Sequence, residues 1–187
     1  MTHRLEDVIA LFDGLFQPTY DTCLIRGGEE PLYLPSDGTA PFHRVIFAHG
    51  FYASALHEIS HWCIAGARRR QWEDYGYWYL PDGRDAAEQH DFEGVEVAPQ
   101  ALELLFSRAC GLAFNVSVDN LGGEVEVDRE AFQARVESRA ARYQRDGLPG
   151  RAAALQRALE AFYHQGADLE HAVAAGRAIL APALMPS

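Results

Sequence analysis

Apolar positions recurring at helical steps predict a short amphipathic helix over Val8 to Phe16, closed by Gly14 and Pro18. Two short strands, Cys23 to Arg26 and Pro31 to Leu34, follow around a Gly27-Gly28 turn. Ser36-Asp37-Gly38 and Pro41 mark a loop, and the β-formers of Arg44 to Ala48 read as a third strand broken by Gly50. From Phe51 to Ala65 the period turns helical: Ala53, Leu56, Ser60, Cys63 and Ile64 form a narrow packable stripe. Gly66 is the expected stop, with Arg68-Arg69-Arg70 placed where cations favour a helix C-terminus.

Tyr75 to Leu80 (YGYWYL) is β-prone, and Pro81-Asp82-Gly83 turns it. Asp85 can cap a helix from Ala86 to about Glu96; Pro99 then starts or kinks a second stretch, Gln100 to Cys110, ended by Gly111. Phe114 to Val118 is a further strand candidate. Asp128 to Arg145 and Gly150 to His164 are Ala/Arg/Glu-rich helices about a Gly147-Leu148-Pro149 turn, and a short last helix is expected to end before Pro182. The predicted fold class is α+β, a single domain over 1–187. A small mixed sheet and the helix at residues 51–65 form a core to about residue 122, with a C-terminal helical hairpin (123–187) packed on it.

Composition narrows the chemistry. The 187 residues are 48% hydrophobic and 23% charged, which is globular rather than disordered. All 16 basic residues are arginine, so a lysine nucleophile, a Schiff base and a P-loop are excluded. The net charge of −11 argues against sequence-blind phosphate binding, hence no direct nucleic-acid partner, and suits a cationic ligand. Cys23, Cys63 and Cys110 form no CxxC and read as free thiols. No signal-peptide pattern and no apolar run of about 20 residues is present, so a cytoplasmic protein without membrane contact is expected.

His57-Glu58-Ile59-Ser60-His61 is an H-E-x-x-H within the predicted helix. Residues four apart share a helix face, roughly 5–6 Å apart at Cβ, so both imidazoles can reach one metal. Glu58, rotated about 100° from His57, stands beside that metal without ligating it. A third ligand must come from elsewhere, and Glu96, an acid among apolar Val95, Val97 and Ala98, is the first choice; Glu93 and His90 are the rivals. His43 and His49 read as structural, and His3, His164 and His171 receive no role. The arginine triplet reads as solvated, or as a place to dock an acidic partner. Asp74, Asp82 and Asp85 with Tyr75, Tyr77, Trp78 and Tyr79 form either a buried strand and its turn or a wall that attracts ammonium groups. With zinc, two histidines and a carboxylate hydrolyse a peptide or similar bond through Glu58; with Fe(II) they leave positions open for dioxygen and substrate. Spacing does not separate these, and no GxGxxG cofactor fingerprint is present.

The run from Ala48 to Gly66 (AHGFYASALHEISHWCIAG) closely resembles the bacterial elongation factor P hydroxylase family. So do Asp74 to Tyr79, Pro81-Asp82-Gly83-Arg84, Phe92-Glu93, Val95-Glu96-Val97, Pro99-Gln100-Ala101-Leu102 and Phe114-Asn115-Val116-Ser117. The similarity runs over about residues 5–165. The resemblance implies a non-haem Fe(II) hydroxylase with dioxygen as co-substrate, acting on elongation factor P whose lysine carries a β-lysyl group. It also implies a zincin-like fold similar to a metal-dependent ribonuclease of ribosome maturation, with His57, His61 and Glu96 as ligands and Glu58 as a proton relay or orienting group. The doubly cationic arm suits a substrate wall of Asp82, Asp85, Tyr77 and Tyr79. The reductant is not written in the sequence. The alternative is a zinc-dependent peptidase or nuclease, and a third class is a non-enzymatic ribosome or translation-factor binding module.

Overall fold

The computed structural model describes residues 2–74, 82–123 and 125–184. The first helix, α1 (Leu5–Tyr20), runs on through both Gly14 and Pro18. Proline cannot donate to the carbonyl four residues back, so Gly14 is left with an orphan acceptor. Arg177, from the last helix, fills it: Nε and Nη2 donate to the Gly14 carbonyl at 2.9 and 2.6 Å. The helix ends instead at Asp21, in the left-handed region with φ 49°.

Three strands follow, β1 (Thr22–Arg26), β2 (Leu32–Leu34) and β3 (His43–Phe47), in the order β1-β3-β2. β1 lies parallel to β3 and β2 antiparallel to it, placing Leu24, Val45 and Tyr33 side by side on a buried face. The chain leaves β3 through a tight corner in which His49 (φ 60°) and Gly50 (φ 65°) are both left-handed. A Cβ at Gly50 would lie 2.5 Å from the guanidinium of exposed Arg26, which can swing aside, so it is the left-handed φ that favours glycine there.

That corner launches α2 (Tyr52–Ile64), the helix of the H-E-x-x-H. Ala55, Leu56, Ile59, Trp62 and Cys63 bury its apolar side. The Trp62 ring meets Phe12, Phe16 and Tyr20 edge-on, with centroids 5.2, 4.8 and 5.8 Å away. The C-terminal carbonyls of α2 are claimed by arginines, as helix electrostatics favours. Arg151 donates to the carbonyls of Trp62, Cys63 and Ala65 at 2.8, 3.2 and 2.7 Å. Arg70 adds a 2.6 Å bond to that of Ala65.

The two helices expected on either side of Pro99 are one, α3 (Ala86–Cys110), 25 residues long. A capping box of Asp85 and Glu88 starts it and left-handed Gly111 (φ 70°) stops it. Val95, whose carbonyl loses its donor to Pro99, lies on the exposed side of the helix, where water can replace that donor. α3 is the spine between two apolar clusters. Leu102, Phe106, Ala109 and Cys110 join the larger, built with α1, the sheet, α2 and the last two helices. Ala101, Leu104 and Leu105 join the smaller, with Val116, Val118 and Phe132, Val136 and Ala140 of α4 (Arg129–Asp146).

Three more expectations are corrected. Phe114 to Val118 alternates exposed and buried like a strand, yet no strand pairs with it among the described residues. Side chains satisfy its backbone instead: Gln100 binds both the N–H (2.9 Å) and the carbonyl (2.7 Å) of Ser117, while Gln89 and Arg129 bind the Val118 and Val116 carbonyls. The C-terminal hairpin is also not the pair first expected, because α4 packs on α3 while α5 (Gly150–Tyr163) pairs with α6 (Leu169–Leu184). The α5 face of Ala154, Ala158 and Ala161 lets α6 approach closely; a Cβ at Gly176 would sit 2.6 Å from the Ala154 carbonyl. α6 also continues past Pro182, which removes an N–H only from its last turn. The expected strand at 75–80 lies outside the described residues. Among them, no helix is long and apolar enough to cross a membrane.

Candidate metal centre

One turn of α2 brings His57 and His61 together, their Nε2 atoms 3.2 Å apart. α3 crosses above them and delivers Glu96: Oε1 is 2.9 Å from Nε2 of His61 and Oε2 is 3.8 Å from Nε2 of His57. The three side chains offer ligand atoms that all lie within 4.8 Å of one another. Two donors bound about 2.1 Å from a metal at angles of 90–109° stand ~3.0–3.4 Å apart, so this triangle needs only small side-chain adjustments to hold a divalent ion. His61 and Glu96 are buried, whereas the His57 side chain is 25% exposed and leaves the cluster open on its side.

Two further residues of α3 restrain the triangle, and sequence reasoning missed both. Glu103 Oε2 accepts from Nδ1 of His57 at 2.8 Å, so that in the neutral ring the proton sits on Nδ1 and the lone pair of Nε2 faces His61 and Glu96. Gln100, fully buried, donates from Nε2 to Glu96 Oε2 (3.1 Å) and to the Ser117 carbonyl, tying the carboxylate to the extended 114–118 segment. A signal for them existed. Glu96, Gln100 and Glu103 recur at four- and three-residue steps, a polar line through an otherwise apolar stretch and the inverse of an amphipathic surface.

The electrostatics follow from crowding three acids around two imidazoles. Burial opposes a charge on His57, but the carboxylates of Glu103, Glu96 and Glu58 outweigh it and carry its pKa up to about 10. Burial would raise Glu96; the charges of His61 and His57, with hydrogen bonds from His61 and Gln100, instead bring it down to about 2. Burial raises Glu58, assisted by the like charges of Glu96 and Glu103 and opposed by the two histidines. With both imidazoles neutral the cluster is anionic, which suits a divalent cation.

The remaining candidates divide. Glu96, and neither Glu93 (half-buried) nor His90 (exposed), joins the histidines. Glu58 lies buried beside them. The Asp85 carboxylate is occupied as the N-cap of α3, accepting from the Glu88 N–H at 2.9 Å. Asp82 is half exposed, 3.8 Å from the buried Arg84 guanidinium. Tyr77 and Tyr79 fall outside the described residues. His43 accepts from the Ser36 N–H at 2.8 Å and His49 forms the corner before α2, so both have structural tasks. Beside His61 an open cleft of ≈ 350 Å³ is lined by Ile64, Gly66, Arg69, Val95 and Pro99.

The family model described as Elongation factor P hydroxylase matches residues 11–173. A protein of Haemophilus influenzae named Elongation factor P lysine hydroxylase is 48% identical over 169 residues, covering 90% of this chain and 94% of its own. The family match spans the later part of α1, the sheet, the H-E-x-x-H helix, the whole of α3, α4 and α5, and the start of α6. The chain therefore belongs to the elongation factor P hydroxylase family.

Proposed function

We propose that the protein hydroxylates the modified lysine of elongation factor P, with Fe(II) held by His57, His61 and Glu96 and with dioxygen as co-substrate. The observation that carries this reading is the triangle of two Nε2 atoms and one carboxylate on a single open face. Two histidines and a carboxylate suit Fe(II) and leave other positions for dioxygen and substrate, and iron, when bound, supplies the redox chemistry that activates dioxygen. Transfer of one oxygen atom into a C–H bond sends the other to water, which consumes two electrons from an external reductant and two protons.

The chain's own residues have defined tasks. Glu103 holds the His57 ring, Gln100 holds the Glu96 carboxylate, and Glu58, whose pKa burial raises, is placed to relay a proton beside the cluster. The substrate lysine bears a β-lysyl extension in this reading, because a long cationic arm matches a site surrounded by Glu58, Glu96 and Glu103. Asp82, Tyr77, Tyr79 and the capping Asp85 are the proposed wall along which the arm enters. Kinship with zincins and with the ribosome-maturation ribonuclease belongs to the same reading, supported by an H-E-x-x-H helix packed on a small mixed sheet. A cytoplasmic location belongs to it too, since a translation factor is modified where translation occurs.

The test is metal analysis of protein purified without oxygen, followed by intact-mass measurement of β-lysylated elongation factor P. Iron in the protein, with an oxygen-dependent gain of one oxygen atom that is lost on His57→Ala, supports the reading. Zinc-dependent cleavage without oxygen, abolished by Glu58→Gln, refutes it.

A further inference from the structure

The arginines of this acidic chain are unevenly placed. Five of the 16 fall within the 18 residues of α4, against three acids, Glu130, Glu137 and Asp146. Arg135, Arg139 and Arg142 follow at four- and three-residue steps, so their charges share one face, and like charges at that spacing weaken a helix. Among the described residues only Asp146 answers this stripe, 3.8 Å from Arg142 and 3.1 Å from Arg145. Arg139 lies on the Tyr143 ring, 4.9 Å from its centroid, with its Nε buried and lacking a hydrogen-bond partner. The four arginines, Arg135 to Arg145, line a groove of ≈ 510 Å³ whose other wall includes Val97 of α3.

Val97 follows the metal-ligating candidate Glu96 directly, so the groove and the metal centre lie about 100° apart around the same helix. A helix with its side chains is about 10–12 Å across. A lysine side chain alone is shorter than that width, and one lengthened by a second lysyl unit exceeds it. We infer that the arginine groove between α3 and α4 docks an acidic face of the protein substrate, holding its body on one side of α3 while the cationic arm passes over the helix to the metal centre. This inference rests on the proposed function for the identity of the substrate. Charge complementarity selects a protein over a nucleic acid. A uniformly anionic polymer meets the repulsion of a chain with net charge −11, whereas a mixed-charge protein offers acids to the arginines and an ammonium arm to the carboxylates.

The test measures binding of fluorescently labelled, β-lysylated elongation factor P to the metal-free protein at low and moderate salt. Turnover is followed separately by mass on the iron-loaded protein. The Arg135→Gln/Arg142→Gln double variant removes two exposed charges from the groove, and Arg4→Gln/Arg157→Gln removes the same charge elsewhere. The expected result is binding weakened about tenfold in the groove variant, with a shallower salt dependence and a matching rise in KM, while the control stays within about twofold of the unmodified chain. Equal affinity in the two variants, or no binding of the factor by the unmodified chain, overturns the inference. So does displacement of the bound factor by an RNA oligonucleotide that ignores the groove variant. A factor that binds through the groove but never gains oxygen refutes the catalytic reading and leaves the docking surface standing.

Discussion

Removing the Glu103 carboxylate tests whether the centre is preorganised or merely crowded. Glu103 touches no ligand position itself. It acts through His57, whose Nδ1–H it accepts at 2.8 Å from a side chain that is 11% exposed. A hydrogen bond to a buried charge contributes about 1.5–3 kcal/mol, and the loss of such an outer partner costs ~10–100-fold in metal affinity, or about 1.4–2.7 kcal/mol. The two obvious substitutions separate charge from geometry. In Glu103→Gln the amide oxygen still accepts from Nδ1, so the ring keeps its tautomer and affinity falls toward the lower end, about tenfold. In Glu103→Leu the ring is free to rotate and to exchange tautomers, and affinity falls toward about a hundredfold. Anaerobic titration with Co(II) against a competing chelating dye reads the affinity, and the visible Co(II) bands read the geometry independently of turnover. A Glu103→Leu protein that melts cooperatively, binds Co(II) as tightly as the unmodified chain and shows the same bands would refute the restraint.

Other consequences are open to simpler measurements. Gln100→Leu strands both backbone groups of Ser117 and frees Glu96, so stability should fall by about 2–4 kcal/mol in urea, with faster hydrogen exchange at the Ser117 amide. Pro18→Ala restores the helical donor to the Gly14 carbonyl, so Arg177→Ala should cost about 1 kcal/mol in the natural chain and clearly less in the Pro18→Ala background; additive effects would contradict the account of α1. Gly176→Val drives side-chain atoms into the Ala154 carbonyl and should lower stability by about 3 kcal/mol or more, read by thermal melting. In chelator-treated protein the His57 contribution is complete below pH 6.5 and lost as pH rises through about 10; that of Glu96 is complete above pH 4.5 and lost as pH falls through about 2. Urea resistance should therefore peak between these inner limits, and His57→Ala should flatten the alkaline limb.

Much of this was legible because it is local. The turn-rich strands, the α2 period, the Asp85 cap and the Gly111 stop each follow from a few neighbouring residues whose preferences the structure respects. The histidine pair was legible for the same reason, since a helix carries four-residue spacing directly into space. What was illegible depends on partners distant in sequence. Pro18 reads as a helix end until Arg177, 159 positions later, supplies the missing donor. The alternation of Phe114 to Val118 reports half-burial correctly, but whether a neighbouring strand or glutamine side chains take up its backbone is decided by α3. The mutual placement of α4, α5 and α6 does not follow from adjacency in sequence, because the small-residue face of α5 and Gly176 select another pair.

Pro99 shows why one such misreading bears on chemistry. If the chain broke there, Glu96 would close one helix while Gln100 and Glu103 opened another, and no common register would relate them. Because α3 is continuous, those three residues fall on one face at four- and three-residue steps, all toward α2. One helix thus carries the carboxylate, the amide that steadies it and the acid that orients the opposing histidine. The backbone hydrogen bond forfeited at Pro99 falls at exposed Val95, on the rim of the cleft rather than among the ligands, so the proline leaves this alignment intact. The precision of the centre is a property of two rigid helices crossing, with α3 restraining its own carboxylate through Gln100 and the opposing His57 of α2 through Glu103.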